Sequence, residues 1–254
     1  MATRTRRPER RENPLSRERI VGAAVELLDA DGEGRLTFRA LAERLATGPG
    51  AIYWHVANKS ELLDAATDAV VADALAVAPA TPVTPVTSAM PVTSVAPAMS
   101  AASTTTAESP RDGIRAVALA LFDAIDAHPW LAAQLAAQLS RSPGQSVAPR
   151  IFESIGRQVS ALEAPKSSWF TVTSALVHYI LGAAGQNAAN GRTLGPGADR
   201  GEFLDTTARA WEALDPDDYP FTRAVAVQIR DHDDREQFLA GIDLILNGVA
   251  AKPS

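Results

Sequence analysis

Residues 36–63 read LTFRALAERLATGPGAIYWHVANKSELL, and the spacing of their side chains decides the fold. Phe38, Leu41, Ala42 and Leu45 recur at the interval that gathers apolar groups on one helix face, with Thr37 where an N-cap belongs. The helix cannot run through Ala46-Thr47-Gly48-Pro49-Gly50, because Pro49 has no amide hydrogen and biases Gly48 towards extended geometry. Gly50 to Val56 then has room for barely two turns. Ile52 and Val56 share one side, while Ala51, Tyr53, Trp54 and His55 occupy the rest, so a short helix turns aromatic side chains outward. Two core aromatics on so short a helix would leave it no polar face. Asn58 followed three positions later by Glu61 is a helix-start signature, and Leu62, Leu63, Ala66, Val70 and Ala74 carry an apolar stripe onward from it. Two short helices around a glycine-containing turn, backed by a capped third, point to a DNA-reading unit.

The chain before this stretch agrees. From Ser16 a first helix is legible in Ile20, Ala23, Ala24, Leu27 and Leu28, and Asp31-Gly32-Glu33-Gly34 ends it. Residues 1–15 hold five arginines and no apolar periodicity, which predicts a disordered basic arm suited to phosphates or to a minor groove. The net charge of −6 is unevenly spread: residues 1–60 carry 11 Lys/Arg against 8 Asp/Glu, and the rest carry 13 against 22. Only the front of the chain suits nucleic acid.

The stretch resembles the helix-turn-helix of TetR-family transcriptional regulators. AIYWHVANKSELL, residues 51–63, is similar to the recognition helix and following helix start of the tetracycline-repressor branch, and the likeness covers roughly residues 15 to 75 without a gap. The resemblance implies DNA contacts for Thr37, Arg39, Gly50, Ala51, Tyr53, Trp54, His55 and Lys59. Arg39 matches an arginine that reads a guanine, which suits bidentate bonding to O6 and N7. Tyr53, Trp54 and His55 match positions that touch backbone and bases, and Thr37 and Lys59 match phosphate contacts. Two departures stand out. Pro49 replaces a base-reading glutamine and Ala51 a threonine, so the operator should differ from the tetracycline one.

After residue 76 the composition changes. Residues 77–110 are rich in Pro, Thr, Val, Ser and Ala, with TPVT twice in succession, and read as a low-complexity linker with neither helix nor core. Helical stripes return from Arg111: Ile114 to Ile125, then Pro129 and the segment PWLAAQLAAQLSR, then about 148–163, and a long apolar helix from Ser167 to about Ala189. A glycine-rich loop is expected from Asn190 to Gly201, followed by Phe203–Leu214, Phe221–Arg230 and a last helix from Arg235 to about Ala250. The expected architecture is all-α, with a DNA-binding domain at 16–76 and a helical ligand-binding and dimerisation domain at 111–251. In the family the long apolar helix and the last helix form a four-helix bundle with their symmetry mates. Gly182, Ala183, Ala184 and Gly185, together with the stripe from Phe238 to Val249, fit that role. Two half-sites about 34–36 Å apart also require a homodimer.

Candidate ligand contacts are Trp130, Gln134 and Gln138, on one line of a helix otherwise made of alanine and leucine, and His178 and Tyr179, polar groups on the long apolar helix. No catalytic residue, metal site or cofactor is expected. The chain has no cysteine, its four histidines have no partner at i+3 or i+4, and no glycine-rich phosphate loop follows a strand. No run reaches the ~18 apolar residues of a membrane span, so a cytoplasmic protein is expected. The functional expectation is a repressor released from a double-stranded DNA operator by a small-molecule effector. The alternative is a constitutive DNA-binding protein whose C-terminal half only dimerises.

Overall fold

The computed structural model describes residues 15–77, 109–141, 147–194 and 199–250, and among these residues the regular structure is helical, with no strand. Most of the basic arm and most of the linker lie outside the described residues.

Helix α1 (Arg17–Asp31) begins where the Ser16 hydroxyl accepts the Arg19 amide at 3.3 Å. Its expected apolar face is buried throughout, and it stops at Gly32, whose φ of 72° is in the left-handed region open to glycine. A single 3-10 turn, Glu33–Arg35, leads to α2 (Phe38–Arg44). The Thr37 hydroxyl caps α2 by accepting the Ala40 amide at 3.1 Å. Pro49 occupies the first turn of α3 (Pro49–Tyr53), where a missing amide hydrogen costs nothing. Between α2 and α3 the chain turns at Ala46, with φ 49°. The sequence places the turn but not a left-handed alanine within it. Helix α4 (Lys59–Val77) starts with the side-chain carbonyl oxygen of Asn58 accepting the Glu61 amide at 2.9 Å. Ile20, Ala24, Leu41, Ile52, Leu62 and Ala66 close the core of this front unit, each at most 1% exposed.

The remaining helices are α5 (Pro110–Ala127), α6 (Leu131–Arg141), α7 (Val147–Ser160), α8 (Trp169–Leu194), α9 (Arg200–Glu212), α10 (Pro220–Val225) and α11 (Asp234–Ala250). Helix α8 is the centre of this half and packs on α5, α6, α7 and α11. Ile114, Leu121, Ile125, Leu135, Ile151, Leu176 and Ile180 fill the space between them. Helices α5 and α7 cross closely at Gly113, where a methyl group would sit 2.6 Å from the Gln158 side chain.

Helix α8 runs five residues beyond its expected end. Gln186 donates to the Asn190 side chain at 2.9 Å, Thr193 to the Ala189 carbonyl at 3.0 Å and Arg192 to the Pro129 carbonyl at 3.0 Å. Side chains that read as loop-forming therefore bond along and across the helix instead. Of the small residues on α8, Ala184 is buried and Gly185 faces Ala132 of α6, while Gly182 is exposed.

Helices α9 and α10 stand apart from the rest. They pack on each other and on the 3-10 turn Ala226–Ile229, held by Arg230, which reaches Asp205 at 3.0 Å and Glu212 at 2.6 Å. The Arg200–Asp234 pair, at 2.6 Å, ties this arm to the start of α11. Phe203, Trp211, Phe221 and Val227 on the arm remain exposed, as do Phe170 on α8 and Leu244 on α11.

Candidate DNA-recognition site and its tie to the C-terminal helices

The recognition surface is built on α3, whose inner face is fixed by fully buried Ile52 and, just beyond it, Val56. With those two inward, Tyr53 is 55% and Trp54 90% exposed. The Tyr53 ring lies on Phe38 of α2, with centroids 4.4 Å apart and planes 8° from parallel. This offset pair sets the direction of the tyrosine hydroxyl, so α2 positions a side chain of α3. Gly50 is exposed and Ala51 half-buried, and nothing would obstruct a backbone approach at Gly50.

Arg39 projects from α2 with 88% of its side chain exposed, and its Nε donates to Glu43 at 3.2 Å. An i,i+4 pair so open to water is worth only a few tenths of a kcal/mol, about 0.3–0.5, and gives way readily to a base edge. Thr37 uses its hydroxyl oxygen as the α2 cap and keeps its proton to donate outward. Lys59, matched to a phosphate contact, also has a partner within the chain. Its Nζ donates to the Glu33 carbonyl at 2.7 Å and joins the start of α4 to the turn after α1.

Below α3, Arg17 clamps the site from α1. One guanidinium nitrogen, Nη1, donates both to the His55 carbonyl at 3.2 Å and to Glu61 at 3.0 Å. The other Glu61 oxygen accepts the Ala57 amide at 2.8 Å. The Ala57 amide first, and Arg17 after it, hold the Glu61 carboxyl below its ordinary range. The end of the recognition helix is therefore fixed through a carboxylate on α4.

The candidate ligand residues fall into two groups. Trp130, just before α6, and Gln134 and Gln138 on its next turns form a ladder that bonds to the DNA-binding half. Trp130 Nε1 donates to Asp29 at 2.7 Å, Gln134 to Glu33 at 2.8 Å and Gln138 to Asp64 at 2.9 Å. His128 Nδ1 also meets Asp29, at 2.8 Å. All three ladder residues are buried, and the amide oxygens of Gln134 and Gln138 have no hydrogen-bond partner. Neither residue of the second group touches this ladder: His178 is exposed on α8, and Tyr179 packs on Phe238 and donates to the Phe238 carbonyl of α11 at 3.2 Å. Burial pushes the Tyr179 hydroxyl pKa up.

None of these five residues lines the open groove, about 910 Å3, that lies where α1 and α4 meet α5. The sequence shows the polar line on α6 but not Asp29, Glu33 and Asp64, because carboxylates elsewhere in the chain carry no local sign of a distant amide. Phe38 was legible as core, and its stacking partner was not.

Residues 20–66 match the family of bacterial regulatory proteins of tetR type, and residues 105–252 match the tetracyclin repressor-like C-terminal domain. The chain belongs to the TetR family. The transcriptional regulator SCO7222, a TetR from Streptomyces coelicolor, is 63% identical, with a TM-score of 0.76 over 94% of this chain and 99% of that one. An HTH-type transcriptional regulator of Saccharopolyspora erythraea is 49% identical over 70 residues, 26% of this chain and 30% of that protein, so the match spans under a third of this relative. ActR of Streptomyces coelicolor, solved in complex with actinorhodin, shares the fold with a TM-score of 0.67 at 22% identity over 94% of this chain and 98% of that one. As a TetR regulator the chain is a DNA-binding transcription factor and not an enzyme. Among the described residues of this TetR regulator there is no group of three His, Cys, Asp or Glu placed for a metal, and no single helix long and apolar enough to cross a membrane.

Proposed function

We propose that this TetR regulator is a homodimeric, cytoplasmic repressor that leaves its DNA operator when a small molecule binds its C-terminal half. The observation that carries this reading is the ladder from α6 to Asp29, Glu33 and Asp64. It ties the unit that bears Arg39, Tyr53 and Trp54 to the helices expected to hold an effector, and a ligand acts only through a difference in affinity between two such arrangements. Thr37, Arg39, Gly50, Ala51, Tyr53, Trp54 and His55 are proposed to face the operator. Lys59 is proposed to meet an operator phosphate with the donors left over from its bond to the Glu33 carbonyl. Residues 16–76 act as the reading unit, 77–110 as a connector and 111–251 as the effector and dimer unit.

A dimer is supported by exposed Phe170 and Leu244 on α8 and α11, by exposed Gly182 further along α8, and by the uncovered aromatic side of the α9–α10 arm. A lone protein in water rarely leaves so many large apolar groups open. Trp130, Gln134 and Gln138 serve in this proposal as transmitters between the two halves, Tyr179 as a tie between α8 and α11, and His178 as a surface group of α8. The test is footprinting of the DNA around the protein's own gene, followed by a compound screen for release. Protected DNA that no compound releases would favour a constitutive binder.

A further inference from the structure

The groove between α1, α4 and α5 has an apolar lining and an excess of negative charge, at the joint between the reading unit and the C-terminal helices. Val21 and Val25 from α1, Ala65 and Ala69 from α4, and Ala120 and Ala124 from α5 give it walls on both sides of that joint. Its charged groups are Arg17, Glu18, Asp68, Asp73 and Asp123, with His128 at one end. The positive charge there is already engaged. Arg17 is paired with Glu61, Arg235 of α11 takes Asp123, and His128 meets Asp29. Arg150 of α7 reaches only the Asp68 main-chain carbonyl, at 3.4 Å. Glu18 is used at the start of its own helix, accepting its own backbone amide and bonding Ser16. Asp73 has no hydrogen bond or ion pair among the described residues, and one Asp68 carboxylate oxygen is buried without a partner.

We propose that this groove binds a small amphipathic cation, an apolar body carrying a protonated or quaternary nitrogen, and that the bound cation changes operator affinity by wedging α1 and α4 against α5. An apolar groove of this size with two carboxylates that lack side-chain partners in the protein has the features of a small-molecule site. Carboxylates without partners beside apolar walls select positive charge. This deepens the effector reading above and rests on it for the effect on DNA, though not for binding itself.

The test uses the full chain and two xanthene dyes of similar body and opposite charge, cationic rhodamine 6G and anionic fluorescein, followed by fluorescence anisotropy. Rhodamine 6G is expected to bind with fluorescein at least roughly tenfold weaker, and Asp68→Asn with Asp73→Asn should weaken rhodamine 6G by about tenfold. Gly22 lines the groove, and a Cβ added to it would meet nothing within 4 Å, so Gly22→Phe should place a ring against the groove and remove binding. Equal binding of both dyes, no binding of either, or rhodamine binding unchanged in Gly22→Phe would each overturn the proposal. DNA binding of the same samples is scored separately on the footprinted fragment. Failure there would sink the regulator reading while leaving the cation site standing, and cation binding with unaltered operator affinity would overturn the wedge.

Discussion

The Gln138 amide on α6 donates to Asp64 on α4 across a separation of 74 residues, at 2.9 Å, and its own carbonyl oxygen is left buried and unbonded. Gln134 does the same with Glu33 one turn earlier. A hydrogen bond to a carboxylate contributes about 1.5–3 kcal/mol, and an unsatisfied buried acceptor costs about 1–3 kcal/mol, so the two nearly cancel. This is a contact that links two bodies with little net stability. Gln134→Ala with Gln138→Ala should change global stability by less than about 1 kcal/mol per site. It should also shrink the ratio of operator affinities with and without effector. An unchanged ratio in a gel-shift titration would remove the ladder from the signalling route.

Arg39→Ala should weaken operator binding by about 1–3 kcal/mol and relax selectivity at one base pair. Glu43→Gln removes the partner that Arg39 must leave, so it should tighten binding modestly. If Arg39→Ala weakened all DNA sequences alike, the arginine would be a phosphate contact, and the salt dependence would become shallower.

Phe38 never needs to touch DNA to matter to it. Loss of the ring under Tyr53 should cost about 0.5–1.5 kcal/mol of the pair's own stability. Phe38→Leu should therefore lower operator affinity while solution mass and helix content stay constant. Full affinity in Phe38→Leu would show that the tyrosine is held from elsewhere.

Ala46 holds a positive φ that glycine adopts freely, and a left-handed residue with a Cβ costs roughly 1–2 kcal/mol. Glycine loses more backbone entropy on folding, which offsets roughly half of that gain. Ala46→Gly should therefore raise the melting temperature of the reading unit slightly. A fall would mean that the turn relaxes in solution.

The Glu61 carboxylate, stabilised first by the Ala57 amide and then by Arg17, is held below its ordinary value of 4.5. Its contribution is thus fully present above that value and is lost as the pH falls through the lower folded value. Glu61→Gln should melt earlier than the native chain near neutral pH, and the two curves should converge in acid. A gap that persisted unchanged down to about pH 2 would rule out the charge as the cause.

From sequence alone, the helical class, the caps at Thr37 and Asn58, the turn before Pro49 and the inward Ile52 and Val56 were all readable. Each depends on residues within about one or two helical turns of itself, and periodicity and capping act over that range. The outward placement of Tyr53 and Trp54 followed by elimination, since the opposite face was taken. The partners of Gln134, Gln138 and Trp130 did not follow. Asp29, Glu33 and Asp64 lie 74–101 residues away in sequence and meet α6 only because α4 packs on both halves. The Glu33 carbonyl that Lys59 meets, 26 residues away, did not follow either. Local pattern determines which face of a helix is buried, and only the tertiary structure decides what lies against its polar edge.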